Sequence, residues 1–162
     1  MRAQPFADSA LPPDGRQSQT AIAVARGTQR LLRSLGLTCL TELPLASGRR
    51  ADLIAIGNGG EIWIVEIKSS VEDFRADQKW PNYRLHSDRL YFATAQHVPV
   101  EIFPDDAGLI VADGFGAAIL REAPEHRLHA STRRCVTLAF ARAAALRLQA
   151  LADPSGPYEV EF

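Results

Sequence analysis

Lysine is nearly absent from this chain: of eighteen cationic residues only Lys68 and Lys79 are not arginine. Arginine is a planar fork that stays charged, whereas lysine is a compact ammonium whose pKa burial can shift. A chain that writes almost every cation as arginine, yet sets Lys68 two residues after Glu66, marks a position that needs an ammonium. Cysteine is equally scarce. Cys39 and Cys135 lack the close pairing of a zinc site and are too few for a disulfide scaffold, so two buried, unpaired thiols in a reducing cytoplasm are expected. No uninterrupted apolar run approaches the roughly 18 residues that span a bilayer, so no membrane is expected. Strong charge of either sign is missing too. A formal net charge of -1 and a pI near 6.4 exclude a global attraction to nucleic acid, and any phosphate binding has to come from a local patch.

What is present suffices for one domain: 162 residues, 46% hydrophobic, can bury a real core. Pro5, Pro12, Pro13 and Gly15 mark residues 1–19 as a tail, leaving 20–152 as the domain and 153–162 as a second tail. Ala21, Val24, Ala25, Thr28, Leu31, Leu32 and Leu35 recur at helical spacing, and Gly36 ends that helix. Residues 37–45 read as a strand. Residues 52–56 and 62–67 flank Gly57-Asn58-Gly59-Gly60, a hairpin signal, and both strands are apolar on both faces, as in a sheet covered by helices on each side. Ser70, with Asp73 three residues on, starts a helix that should end or kink near Pro81. Residues 90–94 form a fourth strand, and 109–112 pair with 118–120 across Gly114-Phe115-Gly116. Residues 133–152 form a closing helix whose buried stripe is Val136, Phe140, Ala144, Leu148 and Leu151. The class is α/β, a mixed central sheet flanked by helices.

Counting outward from a loop of Asn58, Gly59 and Gly60 sets Gly57 against Glu61 and Asp52 against Glu66, with Cβ atoms about 4.5 to 5.5 Å apart. Alternation places Glu66 and Lys68 on one face with Ile62 and Ile64. Two carboxylates so opposed repel each other unless a cation lies between them. A hard divalent ion such as Mg²⁺ or Mn²⁺ takes one or two carboxylates, keeps several waters and completes its shell with substrate phosphate oxygens. Asp52 and Glu66 are therefore candidate metal ligands, and with Lys68 candidate catalytic residues for phosphodiester hydrolysis, Lys68 orienting the nucleophile or stabilising developing charge. The competing reading is an ordinary exposed Glu-Lys pair at a strand end, with Asp52 a turn residue.

The motif formed by Asp52 and, fourteen residues on, Glu66-Ile67-Lys68 resembles that of the PD-(D/E)XK nuclease superfamily. More narrowly, Glu42-Leu43-Pro44, the run from Ser47 to Leu53, Glu66-Ile67-Lys68-Ser69-Ser70 and Lys79-Trp80-Pro81 resemble the MmcB family of bacterial DNA repair proteins, from about Ala21 to Leu148. The resemblance implies a nuclease-like (restriction-endonuclease-like) fold acting on DNA damage, with Asp52 and Glu66 as ligands, the Ile67 carbonyl as a further ligand and Lys68 as catalytic cation. Ala51 stands where the motif has proline. Many relatives carry a glutamate on the first helix, and here that helix has no acidic residue, which leaves Gln29 or Glu42 as substitutes. Gln78 and Tyr83 are five apart where some relatives space them by four, and Gln78 joins Glu42 as an auxiliary candidate.

Arg49, Arg50, Arg75, Lys79, Arg84 and Arg89 cluster around the motif as a phosphate track, with Trp80 or Tyr83 to stack on an unpaired base. Alternatively these cations pair with Glu72, Asp73, Asp77 and Asp88, and Trp80 belongs to the core. Of the four histidines only His86 is placed to act as a base, should its segment fold toward the motif. Three functions follow: a metal-dependent DNA endonuclease cutting damaged, branched or single-stranded DNA, a non-catalytic DNA-binding or adaptor module of the same fold, or a protein interaction domain docking through its last helix. DNA is the expected partner, alongside a second copy or other repair proteins.

Overall fold

The computed structural model describes residues 18–156; residues 1–17 and 157–162, which hold most of the two expected tails, lie outside the described residues. In chain order the elements are α1 (Gln19–Ser34), β1 (Thr38–Pro44), β2 (Arg50–Ile56), β3 (Ile62–Lys68), α2 (Val71–Ala76), a 3₁₀ helix (Trp80–His86), β4 (Arg89–Thr94), β5 (Gly108–Ala112), β6 (Ala117–Arg121) and α3 (Ala130–Ala152). Among these residues the strands form one six-stranded sheet in the order of the chain, with β3, β4 and β5 parallel and the outer pairings antiparallel. This is the expected mixed α/β sheet.

Both faces are covered, which explains why β2 and β3 are apolar on both sides. On one face Val24 and Leu32 of α1 pack against Leu53, Val65, Tyr91 and Ile110. On the other, Val136 and Ala143 of α3 and Tyr83 of the 3₁₀ helix pack against Ile54, Ile62, Ile64 and Leu90. Beside them Phe74 of α2, Phe92 and Phe103 interlock, with ring centroids 4.9 to 5.4 Å apart. Ser18 caps α1 by accepting from Ala21 N–H at 3.1 Å, and Gly36, at φ 79°, ends it. Asp88 joins the two layers: its carboxylate accepts from Ile62 N–H at 2.7 Å, Leu128 N–H at 2.9 Å and the two terminal guanidinium nitrogens of Arg133.

Four expectations need correction. The helix after Ser70 ends at Ala76 rather than near Pro81, because Asp77 turns into extended backbone and the chain continues as a 3₁₀ helix with Pro81 in its first turn. The stripe on α3 is only half right. Val136 and Phe140 pack on the sheet, but Leu148 and Leu151 are exposed where the helix runs out over the edge strand β1. That helix is also long and apolar enough, by length and composition alone, to cross a bilayer. Here Arg133 binds Asp88 and Arg147 binds the carbonyls of Thr41 and Glu42, which tie it to the sheet. Finally, Cys135 is exposed, while Cys39 is half-buried on β1 with its thiol pushed up to about 11 by burial.

Candidate metal and phosphate site

The β2–β3 hairpin has the register counted from its loop: Ile56 faces Ile62, Ala55 faces Trp63, Ile54 faces Ile64 and Leu53 faces Val65. One step further Asp52 meets Glu66, and there side chains replace the ladder. Asp52 N–H donates to Glu66 Oε1 at 3.2 Å, and Ile67 N–H donates to Asp52 Oδ2 at 2.8 Å. Each carboxylate is thus pinned by one oxygen to the opposite strand, leaving Asp52 Oδ1 and Glu66 Oε2 for a cation. Burial, then the neighbouring Asp52 charge, hold the Glu66 carboxyl well above its ordinary range. Burial also raises Asp52, against the Ile67 N–H and the Lys68 charge that favour its ionised form. A desolvated pair that resists double ionisation is what a divalent cation would relieve.

Lys68 is buried in the same face, with Nζ 2.7 Å from Asp77 Oδ2. Burial pulls the ammonium pKa down, but the Asp77 hydrogen bond and the charges of Asp77, Glu66 and Asp52 outweigh it, and the net shift is upward. Lys68 is therefore a fixed cation and not a general base at neutral pH. Burial would raise Asp77, but the Lys68 hydrogen bond, the Lys79 N–H at 3.0 Å and the Arg49 charge bring it below the ordinary carboxylate range. Thr94 Oγ1 donates to the Lys68 carbonyl at 2.7 Å, holding the end of β3 to β4. Reading the residues in line missed both Asp77 and Thr94. Nothing in the sequence marked Asp77, because α2 stops with it as the C-cap residue, the end at which the helix dipole disfavours a carboxylate.

Glu42 is the only non-glycine residue with positive φ among the described residues, at 51°. Thr41 pairs with Leu53 and Leu43 with Ala51, so Glu42 lies level with Asp52, and its charge raises the Asp52 carboxyl. Its own carboxylate is 3.5 Å from Arg50. Gln29 sits on α1, which covers the opposite face of the sheet from Glu66 and Lys68. Gln78 is turned to the Arg75 carbonyl at 2.8 Å. Tyr83 is buried, not free to stack: its hydroxyl donates to the Arg50 carbonyl at 3.0 Å, and burial with the charges of Glu66, Asp52 and Asp77 raises its pKa.

The expected cations divide. Arg49 is near enough to lower Asp77, while Arg50, Arg75 and Lys79 are exposed around the same end of the sheet. Arg84 instead binds Asp106 at 2.8 Å and lies over the Trp80 ring at 5.1 Å, and Arg89 donates to the Ala123 carbonyl. Trp80 packs partly buried against Phe92. His86 is half-buried, its pKa lowered by burial, and joins none of the site's hydrogen bonds. No cluster of three or more His, Cys, Asp or Glu side chains poised for a metal occurs among the described residues. The donor set is all oxygen, two carboxylates each with one oxygen uncommitted and the carbonyl of Ile67, the residue after Glu66. That suits a hard divalent ion that keeps several of its waters.

A family model described as DNA repair protein MmcB-like matches residues 8–155. The chain belongs to the MmcB-like DNA repair family. Among solved structures, this MmcB-like chain is similar to SPO1766, a protein of unknown function from Silicibacter pomeroyi, at 41% identity and a TM-score of 0.85, covering 90% of this chain and 99% of that one. Pyrococcus furiosus SfsA in complex with Ca²⁺ aligns at 13% identity over 63% of this chain and 60% of that one, with a TM-score of 0.31, too remote to carry an argument. The curated proteins contain no match.

Proposed function

We propose that this MmcB-like domain has a PD-(D/E)XK nuclease-like site and is a Mg²⁺- or Mn²⁺-dependent endonuclease, hydrolysing phosphodiester bonds in damaged, branched or single-stranded DNA. The observation that carries the reading is the interlocked pair of Asp52 and Glu66 beside a buried, charged Lys68. Asp52 and Glu66, with the Ile67 carbonyl, would hold the ion. When bound, it supplies charge neutralisation at the phosphate and lowers the pKa of a coordinated water. Lys68, kept protonated by Asp77, faces the developing negative charge as a pre-positioned cation and moves no proton. Arg49, Arg50, Arg75 and Lys79 would draw the phosphate backbone to this end of the sheet.

The test is incubation of supercoiled plasmid, branched duplex and single-stranded DNA with either ion. Wild type should nick at least one of them, and Lys68→Ala or Lys68→Met, with melting checked, should lose about 10² to 10³ of the rate, the usual cost of removing one transition-state charge contact. Cleavage of no substrate with either ion would overturn the enzymatic reading. A second reading, a non-catalytic DNA-binding module, is favoured by the absence of an acidic residue on α1. It predicts DNA binding that neither chelator nor Asp52→Asn alters.

A further inference from the structure

A second surface lies at the same end of the sheet, on the far face from the carboxylates. Phe115 is 85% exposed, the highest value for any large apolar side chain among the described residues. It is not a loose loop residue. Asp113 Oδ1 accepts from the N–H groups of Phe115 and Gly116 at 2.7 and 2.9 Å, and Asp113 N–H donates to the Gly116 carbonyl at 3.0 Å. From α1, Arg30 donates to the Phe115 carbonyl at 3.0 Å. Gly27 lets the turn lie directly on the helix, since a Cβ there would collide with the carbonyls of Asp113 and Gly116. The ring is therefore presented to solvent from a braced backbone.

The helix beneath it is one-sided in charge. From Gln19 to Ser34, α1 has no acidic residue, and Arg26, Arg30 and Arg33, spaced four and three apart, share the face opposite Val24 and Leu32. Because β3, β4 and β5 are parallel, Lys68, Thr94 and Val111 stand level, and the Phe115 turn follows β5 at that same end. Two strand spacings, roughly 10 Å, separate β3 from β5. A cationic track flanking a rigid, solvent-facing aromatic is the arrangement that binds single-stranded nucleic acid, with phosphates on the cations and a base on the ring.

We propose that Phe115 with Arg30 and Arg33 forms a stacking platform for an unpaired DNA segment, delivering that strand to the Asp52–Glu66 end of the sheet. This rests on DNA being the substrate, and the experiment separates the two claims. Full-length wild type is titrated with a fluorescein-labelled dT oligonucleotide and a duplex of equal length, by anisotropy over a salt series. Phe115→Ala should weaken dT binding about ten-fold or more, the usual worth of one stacked base, with little effect on the duplex, and Phe115→Trp should restore it. Arg33→Ala should lower the slope of log affinity against log salt for dT by about 0.7, one phosphate contact. Binding of dT by wild type that Phe115→Ala leaves unchanged, or an equal loss for dT and duplex, would overturn the platform while leaving DNA as the substrate. Absence of any binding to either oligonucleotide would overturn both. Phe115 packs against nothing it would leave empty, so these variants keep the fold.

Discussion

Lys68 and Asp77 lie nine residues apart and are joined only because α2 is a single short helix that gives way to extended backbone at Asp77. A buried ammonium alone would lose its proton readily, since burial disfavours the charged form. Asp77 reverses that sign, and with it the role open to Lys68. Asp77→Asn keeps a hydrogen-bond acceptor but removes the charge, so the Lys68 pKa should fall and the alkaline limb of the DNA-cleavage pH profile should move to lower pH. A rate loss with an unmoved profile would mean that Asp77 acts on geometry alone. The sequence exposed half of this arrangement. Strand alternation and loop length were enough to set Asp52 against Glu66 and Lys68 beside it, because a hairpin's register follows from its loop. The acidic partner was not legible, since it depends on where a six-residue helix stops, and Pro81 suggested a later end.

At the scale of elements, β1 shows how the sheet accommodates the site. Leu40 and Leu43 pack in the same core although strict alternation puts residues three apart on opposite faces. Glu42, left-handed at φ 51°, makes the switch, and Arg147 from α3 covers the Thr41 and Glu42 carbonyls that the kink turns out of the ladder. Strand periodicity reads a strand here but not its kink, which is why the sequence marked Glu42 only as an auxiliary candidate. A left-handed glutamate costs what a glycine does not. Glu42→Gly should therefore be more stable than Glu42→Ala by about 1 kcal/mol, each having lost the same carboxylate, as urea unfolding would show. Equal stability of the two would place the strain elsewhere.

For the whole molecule, opposite pKa shifts set how stability varies with pH. Asp77 and Asp88 are lowered below their ordinary value of 3.8, Asp88 because its hydrogen bonds from Arg133, Leu128 and Ile62 outweigh its burial. Their contribution is complete above that value and is lost as pH falls through the folded pKa. Asp52 and Glu66 are raised from 3.8 and 4.5, so above those values the folded chain holds protons that the unfolded chain has released, and stability falls as pH rises toward their folded pKa. The metal-free protein should accordingly be most stable at mildly acidic pH and lose Tm toward neutrality. Mg²⁺ should recover that loss, by about 2.7 kcal/mol at a hundred times its Kd, or roughly 5 to 10 °C in a domain of this size. It should have little effect near pH 4, where protons compete for the same oxygens. Glu66→Gln keeps an oxygen for the Asp52 N–H while removing the charge. It should melt above wild type at pH 8 in chelator, match it near pH 4 and show no Mg²⁺ increment in Tm or binding heat by titration calorimetry. If the variant and wild type respond alike to Mg²⁺ at pH 8, the ion is bound somewhere other than between Asp52 and Glu66.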